Sequence, residues 1–455
     1  MVSRVLIEGC DVVATMDDGG TELAGGSLLV QDGTIAWVGQ GAPPEDPGEV
    51  ERIDGTGCVA VPGLVNTHHH LYQAMTRARA QQQGLFGWLT ALYPVWAGLD
   101  VEWQRAASRV GLAELALSGC STTTDHHYVF PAGSRDLLEV EIEAARDLGL
   151  RFHPCRGSMD LGASGGGLPP DELVEDTDEA LARTEEAVGR HHDPRPGSML
   201  RIAVAPCSPF SVSERLMREA AQLARRLGVR LHTHLAETLD EERHCVERFG
   251  KRPVELMETW GWLGEDVWYA HCVHIDHEDV RRLAGTGSGI AWCPTSNLRL
   301  GSGIAPGRSF LDEGTPVGLG VDGSASNDAG SLLAEARQAM LVSRAAGVGQ
   351  GLSAREALRV ATRGGAEVLG RDDVGALASG MRADVALFPV DGLETAGSDT
   401  DPVAGLVLSP PPRVRHLLVD GRPVVRDGHL VGADEVSIAR EGHRVARRIA
   451  EGAAR

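Results

Sequence analysis

Apolar and polar positions follow two different rhythms along this chain, and the change of rhythm marks its organisation. Residues 1–60 carry short apolar runs, among them Val5-Leu6-Ile7, Val12-Val13-Ala14 and Ser27-Leu28-Leu29-Val30, separated by turn residues. Asp32-Gly33 then precedes Thr34-Ile35-Ala36-Trp37-Val38. Asp-Gly between apolar runs is a hairpin signal, because the tightest β-turns need left-handed backbone at both central residues. The same rhythm returns at 383–389 and 416–425. Both chain ends are therefore expected to build one small β-sandwich domain around a long insertion, and the Ala-, Arg- and Glu-rich stretch from Asp434 reads as a surface helix.

Inside the insertion, strand-like apolar runs alternate with amphipathic helical stretches such as 102–118, 214–227 and 355–368. The runs are the one ending at His68, then 121–127, 151–156, 200–207, 230–235, 267–273, 289–293 and 316–321. Such alternation implies parallel strands with right-handed crossovers, and eight units over about 300 residues predict a closed (β/α)8 TIM-type barrel. The domains expected are 1–60 and 375–455 for the β unit with its closing helix, and 61–374 for the barrel. A doubly wound open sheet is the alternative, but no G-x-G-x-x-G or Walker sequence supports a nucleotide-binding version.

In such a barrel the active site lies at the carboxyl ends of the strands, so the polar residues where each run stops carry the functional signal. The first run, Val61-Pro62-Gly63-Leu64-Val65-Asn66-Thr67, ends in His68-His69-His70, and alternation along a strand puts His68 and His70 on one side. The fifth ends His232-Thr233-His234-Leu235-Ala236-Glu237, the sixth in His271 and the eighth in Asp322. Three imidazoles and a carboxylate at one barrel mouth suit zinc, whose borderline softness favours nitrogen ligands. His234, nearer the strand end, is assigned to the metal. His232 falls one layer deeper, and His69 points away as a structural residue.

Composition narrows the chemistry. The 455 residues are 42% hydrophobic, enough for a large core, and no run approaches a membrane span or a secretory signal, so a cytoplasmic protein is expected. Eight scattered cysteines without C-x-x-C read as small, reduced core residues. A formal charge of −21 would repel a phosphate backbone, which argues against nucleic acid as a partner. A small neutral or cationic molecule is the expected partner, with self-association into a homo-oligomer.

The motifs Pro62-Gly63-Leu64-Val65-Asn66-Thr67-His68-His69-His70, His234-Leu235-Ala236-Glu237, His271 and Gly320-Val321-Asp322-Gly323-Ser324-Ala325-Ser326-Asn327 resemble the amidohydrolase superfamily. The likeness is to its mononuclear zinc branch of nucleobase and triazine deaminases and chlorohydrolases, and it extends over nearly the whole chain. It implies a metal held by His68, His70, His234 and Asp322, proton transfer by Glu237, polarisation of the attacked position by His271, and acceptance of a second proton by Asp322. Two-metal members use a bridging carboxylate from strand four, commonly a carbamylated lysine. Here that strand ends Ala203-Val204-Ala205-Pro206-Cys207-Ser208, and the single lysine, Lys251, lies far beyond it. One Zn2+ per chain is therefore expected, with Fe2+ as the alternative ion.

The first βα loop, through Gln73, Trp88, Tyr93 and Trp96, offers aromatic faces for a flat heterocycle and an amide for a ring edge. Gln73, Trp96 and Cys207 are the expected substrate contacts, and Arg156, Ser208, Ser296 and Asn297 stand at other strand ends. His68-His69-His70-Leu71-Tyr72-Gln73, Leu92-Tyr93-Pro94-Val95-Trp96 and Ala205-Pro206-Cys207-Ser208-Pro209-Phe210 look most like the 8-oxoguanine deaminases within this branch. The expected reaction is 8-oxoguanine plus water to urate plus ammonia. Isocytosine or guanine deamination, or triazine amino- or chlorohydrolysis at the same site, are the alternatives. A scaffold that has lost catalysis would have shed ligands, and none is missing.

Overall fold

In the computed structural model, which describes residues 4–44, 46–131, 134, 136–347 and 351–453, eight parallel strands close into a barrel. They are β1 (Leu64–Asn66), β2 (Cys120–His127), β3 (Arg151–Ser158), β4 (Ala203–Pro206), β5 (Leu231–Leu235), β6 (Val267–His271), β7 (Gly289–Trp292) and β8 (Val317–Leu319). Each run counted from the sequence is one of these strands. Closure comes from β8 pairing with β1, Leu319 opposite Asn66. Every residue in the eight strands is buried, which is why they read as continuous apolar runs and not as alternating ones.

The helices between strands form the outer layer. Glu214–Leu227 begins at a Ser213 side chain that accepts from the Leu216 amide and ends at left-handed Gly228, a sequence-encoded start and stop. The stretch 355–368, which its periodicity predicts as one helix, is Ala354–Arg359 and Gly365–Val368 joined by a π-turn, Val360–Gly364. A Cβ on Gly364 would sit 2.2 Å from the Val317 carbonyl oxygen, and one on Gly365 2.7 Å from that of Val65. The extra residue in the turn lets two bare backbone positions lie against β8 and β1.

Strands from both chain ends form a nine-stranded sheet in which Cys58–Pro62 pairs with Val385–Pro389. Asp32-Gly33 and Asp420-Gly421 are both left-handed at each residue, the hairpin turns that the Asp-Gly pairs predict. The sheet folds over on itself so that these turns meet: a Cβ on Gly421 would lie 3.0 Å from Gly33 Cα. The closing helix, Glu435–Ala453, is more than a surface element. Val445 and Ile449 enter the same apolar cluster as Tyr72, Trp96 and Trp103, while Arg448 pairs with Asp100 and Arg444 with Glu102. No helix among the described residues is long and apolar enough to cross a membrane.

A buried ion pair fastens the sheet to the barrel. Arg151, opening β3, donates to both oxygens of Asp384 at 3.0 and 2.9 Å and to the carbonyls of Gly197 and Ser198. Both side chains are essentially inaccessible, so removing one partner strands an unpaired charge. Arg151→Ala should lower unfolding free energy by about 3–5 kcal/mol in urea titration. A loss below about 1 kcal/mol would show that water replaces the guanidinium at this joint.

Candidate metal centre

The barrel mouth brings together all six polar residues that the strand ends single out. Their approach is set by the backbone where each strand stops: Ala236, His271, Cys272 and Asp322 all have positive φ, at 50°, 75°, 47° and 61°. Non-glycine residues hold this conformation only where the surroundings enforce it. Here it turns the chain out of the strand and leaves the side chain in the mouth. Gly323 is needed beside Asp322, because a Cβ there would stand 1.9 Å from Gln73 Oε1.

Hydrogen bonding decides which nitrogen of each imidazole carries the proton. His70 Nδ1 lies 2.8 Å from the His126 carbonyl oxygen, and His234 Nδ1 lies 2.7 Å from that of Cys207. A carbonyl only accepts, so both Nδ1 atoms are protonated and both Nε2 atoms present lone pairs. His68 is fixed at one remove. His232 Nδ1 donates to the Trp268 carbonyl at 3.0 Å, which leaves His232 Nε2 to accept from His68 Nδ1 at 2.8 Å. His68 Nε2 is then a buried lone pair without a partner. Burial draws all three imidazoles below their ordinary pKa, so they are neutral.

The lone pairs converge. His70 Nε2 and His234 Nε2 are 3.1 Å apart with no proton to share, and Asp322 Oδ1 is 3.3 Å from both His68 Nε2 and His70 Nε2. Such an arrangement is repulsive by itself and attractive around a cation. Ligands about 2.0 Å from a tetrahedral zinc are separated by about 3.3 Å, which is the spacing seen. The residues present fit the metal. The other Asp322 oxygen, Oδ2, accepts from Ser296 Oγ at 2.5 Å and Ser326 Oγ at 3.1 Å, which aims Oδ1 inward.

Glu237 and His271 stand beside this cluster. Burial pushes the Glu237 carboxyl up to about 7. His271 behaves unlike the other imidazoles: burial pulls its pKa down, but the Glu237 and Asp322 carboxylates outweigh it and hold it above the ordinary value. Its Nδ1 donates to Asn297 Oδ1 at 2.9 Å, and its Nε2 is 3.6 Å from Glu237 Oε2. The backbone amides of Ala236 and Glu237 both donate to the wholly buried Glu241, at 2.7 and 3.1 Å.

His70, His234, Glu237, His271 and Asp322 line one wall of a cavity. Gln73, Cys207 and Ser208 also line it, and Leu85, Trp88, Tyr93, Phe210 and Leu300 close it over with apolar surface. Gln73 Oε1 is buried and without a partner. Trp96, expected as a substrate contact, is elsewhere: its ring is fully buried, and its Nε1 donates to Thr76 Oγ1 at 3.2 Å. Trp88 and Tyr93 face the cavity, whereas Trp96, about two turns beyond Trp88 on the same helix, turns toward Tyr72 and Trp88. Arg156 is also outside, paired with Glu175 at 2.6 Å. Tyr128 lines the cavity although no strand-end motif marks it, and Phe210, the last residue of the motif that closes β4, lines it as well. His126, whose ring stacks 4.8 Å from His234, is not among the residues that the sequence reading singles out, although the polar end of β2 carries a signal for it.

Comparison with known proteins agrees with this geometry. The family model described as the amidohydrolase family matches residues 59–424. The chain belongs to the amidohydrolase family. It is 48% identical over 414 residues to 8-oxoguanine deaminase from Pseudomonas aeruginosa, covering 90% of this chain and 92% of that one. To hydroxydechloroatrazine ethylaminohydrolase from a Pseudomonas species it is 39% identical, covering 99% and 97%. Among solved structures, atrazine chlorohydrolase from Arthrobacter aurescens, complexed with zinc, superposes with a TM-score of 0.92 at 37% identity, covering 97% of this chain and all of that one. In this amidohydrolase the end of β4 presents Cys207 and Ser208 to the cavity, and no lysine or acid.

The tautomer of His68 depends on His232 alone. His232→Phe keeps an aromatic ring beside Trp268 but removes the acceptor, and zinc affinity should fall about 10–100-fold, as read by competition with a chromophoric chelator. Unchanged affinity would mean that His68 is oriented by something other than this relay.

Proposed function

We propose that this amidohydrolase is a mononuclear zinc aminohydrolase that converts 8-oxoguanine and water to urate and ammonia. The observation that carries the proposal is the set of three lone pairs and one carboxylate oxygen aimed at a single point, with a carboxyl of raised pKa and a charged imidazole beside it. The high identity to a relative described as 8-oxoguanine deaminase supports the choice of heterocycle. His68, His70, His234 and Asp322 would hold one ion, since β4 offers no bridging group.

Bound zinc supplies the acidity that makes water nucleophilic near neutral pH. The protein's own groups manage the protons. Glu237 takes one at its carboxylate from the attacking water and hands it to the ring nitrogen beside the attacked carbon, a transfer helped by a pKa near neutrality. His271, held protonated by its two carboxylate neighbours, donates from Nε2 to the oxygen that gains negative charge. Asp322 receives the remaining hydroxyl proton and passes it to the exocyclic amine as the C–N bond breaks, so that the group departs as ammonia. Gln73, whose carbonyl is buried without a partner, pairs with the lactam edge, and the aromatic lid excludes water from the face of the ring.

A triazine is the second reading, favoured by the likeness to proteins named for ethylaminohydrolysis and chlorohydrolysis. The two readings separate in kcat/KM measured on 8-oxoguanine, isocytosine, guanine and a hydroxylated aminotriazine. The expected order places 8-oxoguanine first and isocytosine, which carries the same amino-amidine edge, next. Preference for the triazine, or no ammonia from 8-oxoguanine, would overturn the substrate assignment.

Glu237→Gln tests the proton transfer separately. It should retain one zinc equivalent by elemental analysis while turnover falls by about 10²–10⁴. Near-parental turnover would remove Glu237 from its role.

A further inference from the structure

A polar cluster that takes no part in the cavity is sealed between the barrel and two of its helices. Strand β2 turns Asp125 and His127 outward toward Gln104 of Val101–Leu117 and Glu141 of Leu137–Leu148, and all four side chains are fully buried. Among the described residues no Arg or Lys pairs with either carboxyl group; Asp125 meets the Leu71 amide, and Glu141 meets His127 and Gln104. Two acids so placed are costly to ionise.

The hydrogen bonds require one proton between His127 and Glu141. His127 Nε2 donates to the Val129 carbonyl at 3.0 Å, so the neutral ring carries a lone pair on Nδ1. That lone pair faces Glu141 Oε1 at 2.6 Å, too close for two bare acceptors. A proton on Glu141 completes the contact. Gln104 Nε2 donates to the same oxygen at 2.6 Å and to Ser108 Oγ at 3.0 Å. Burial acts in the same direction, pushing Glu141 up to about 8 and His127 down to about 4. Asp125 belongs to this cluster, and its Oδ1 accepts from the Leu71 amide at 2.5 Å. Leu71 follows His70 directly and opens the turn Leu71–Thr76 that carries Gln73 to the cavity.

We propose that Glu141 is a positioning residue of this enzyme: as a neutral acid it locks His127 and Asp125, and Asp125 fixes residues 70–73 through the Leu71 amide. The inference rests on the metal site proposed above and adds to it a pH limit set from outside the barrel. When Glu141 ionises, its charge faces the His127 lone pair and the Asp125 carboxyl, which burial and Glu141 itself hold well above the ordinary range, with no cation to compensate. The neighbouring Cys155 thiol and Tyr72 phenol are kept protonated by burial, and Arg156, beyond His127, is engaged by Glu175. The repulsion loosens residues 70–73, so zinc retention and substrate affinity decline together above about pH 8.

The test compares full-length, zinc-loaded wild type, Glu141→Gln and Glu141→Ala. Zinc release to a chromophoric chelator is followed from neutral to about pH 9.5, with KM and kcat for 8-oxoguanine over the same range. A glutamine with its amide nitrogen in the Oε1 position donates to His127 Nδ1 and, once the Gln104 amide turns over, to the Gln104 Oε1 that otherwise has no partner, and it does not titrate. Wild type should therefore lose zinc faster and show a higher KM at alkaline pH, and Glu141→Gln should be flat in both. Glu141→Ala should release zinc about 10-fold faster at every pH, with KM rising more than kcat falls. An alkaline limb unchanged in Glu141→Gln overturns the proposal. So does a second zinc equivalent that this substitution removes, which would make the cluster a cation site. Zinc release reports whichever heterocycle is the substrate, so failure of the substrate assignment is distinguishable from failure here.

Discussion

Convergence of lone pairs on one point is the constraint on which the rest of this structure depends. Three neutral imidazoles and a carboxylate oxygen, 3.1–3.3 Å apart along the measured edges, repel one another unless each ring is held in one tautomer and one orientation. The holders are backbone carbonyls of His126, Cys207 and Trp268, which stand in or just after β2, β4 and β6. The ligand set is therefore tied to strand register, and a barrel that slipped by one residue would lose the acceptors as well as the ligands. The common direction of all eight strands delivers the ligands themselves to one end.

Around that point the protein separates its ionisable groups by environment. Burial alone takes His68, His70 and His234 neutral, whereas the same burial applied to His271 is outweighed by the two carboxylates beside it. Chemically identical side chains thus become lone-pair donors on one side and a proton donor on the other. Oppositely perturbed neighbours of this kind are what acid–base chemistry at neutral pH requires.

Much of this could be read from the chain because apolar runs buried on both faces end abruptly in polar residues, and those ends are the barrel mouth. His232 was legible as a deeper residue from its spacing to His234, and it is the one that sets His68. Periodicity failed where three-dimensional packing overrides it. Trp96 follows Trp88 by eight residues on one helix, about 12 Å along its axis, and which of the two reaches the cavity depends on what each turn packs against. The π-turn at Val360–Gly364 answers to carbonyls of β8 and β1, far away in sequence. Glu141 and Glu241 lie in helices whose pattern marks them as ordinary charged positions, yet both are fully buried. Their role appears only once the elements are assembled.

The strand Cys58–Pro62 continues through Gly63 into β1, so the end sheet and the barrel share one piece of chain, and its sheet partner is Val385–Pro389. During synthesis the N-terminal strands can pair among themselves early, but the edge presented by Cys58–Pro62 waits until almost the whole barrel has emerged. The order of folding is thereby coupled to the barrel mouth, because the strand that leads into β1 and His68 gains its second sheet partner only when Val385–Pro389 arrives. Pairings of such sequence separation are slow to form and leave an open strand edge in the interval. For this protein the exposed edge belongs to the nascent chain until Val385–Pro389 covers it.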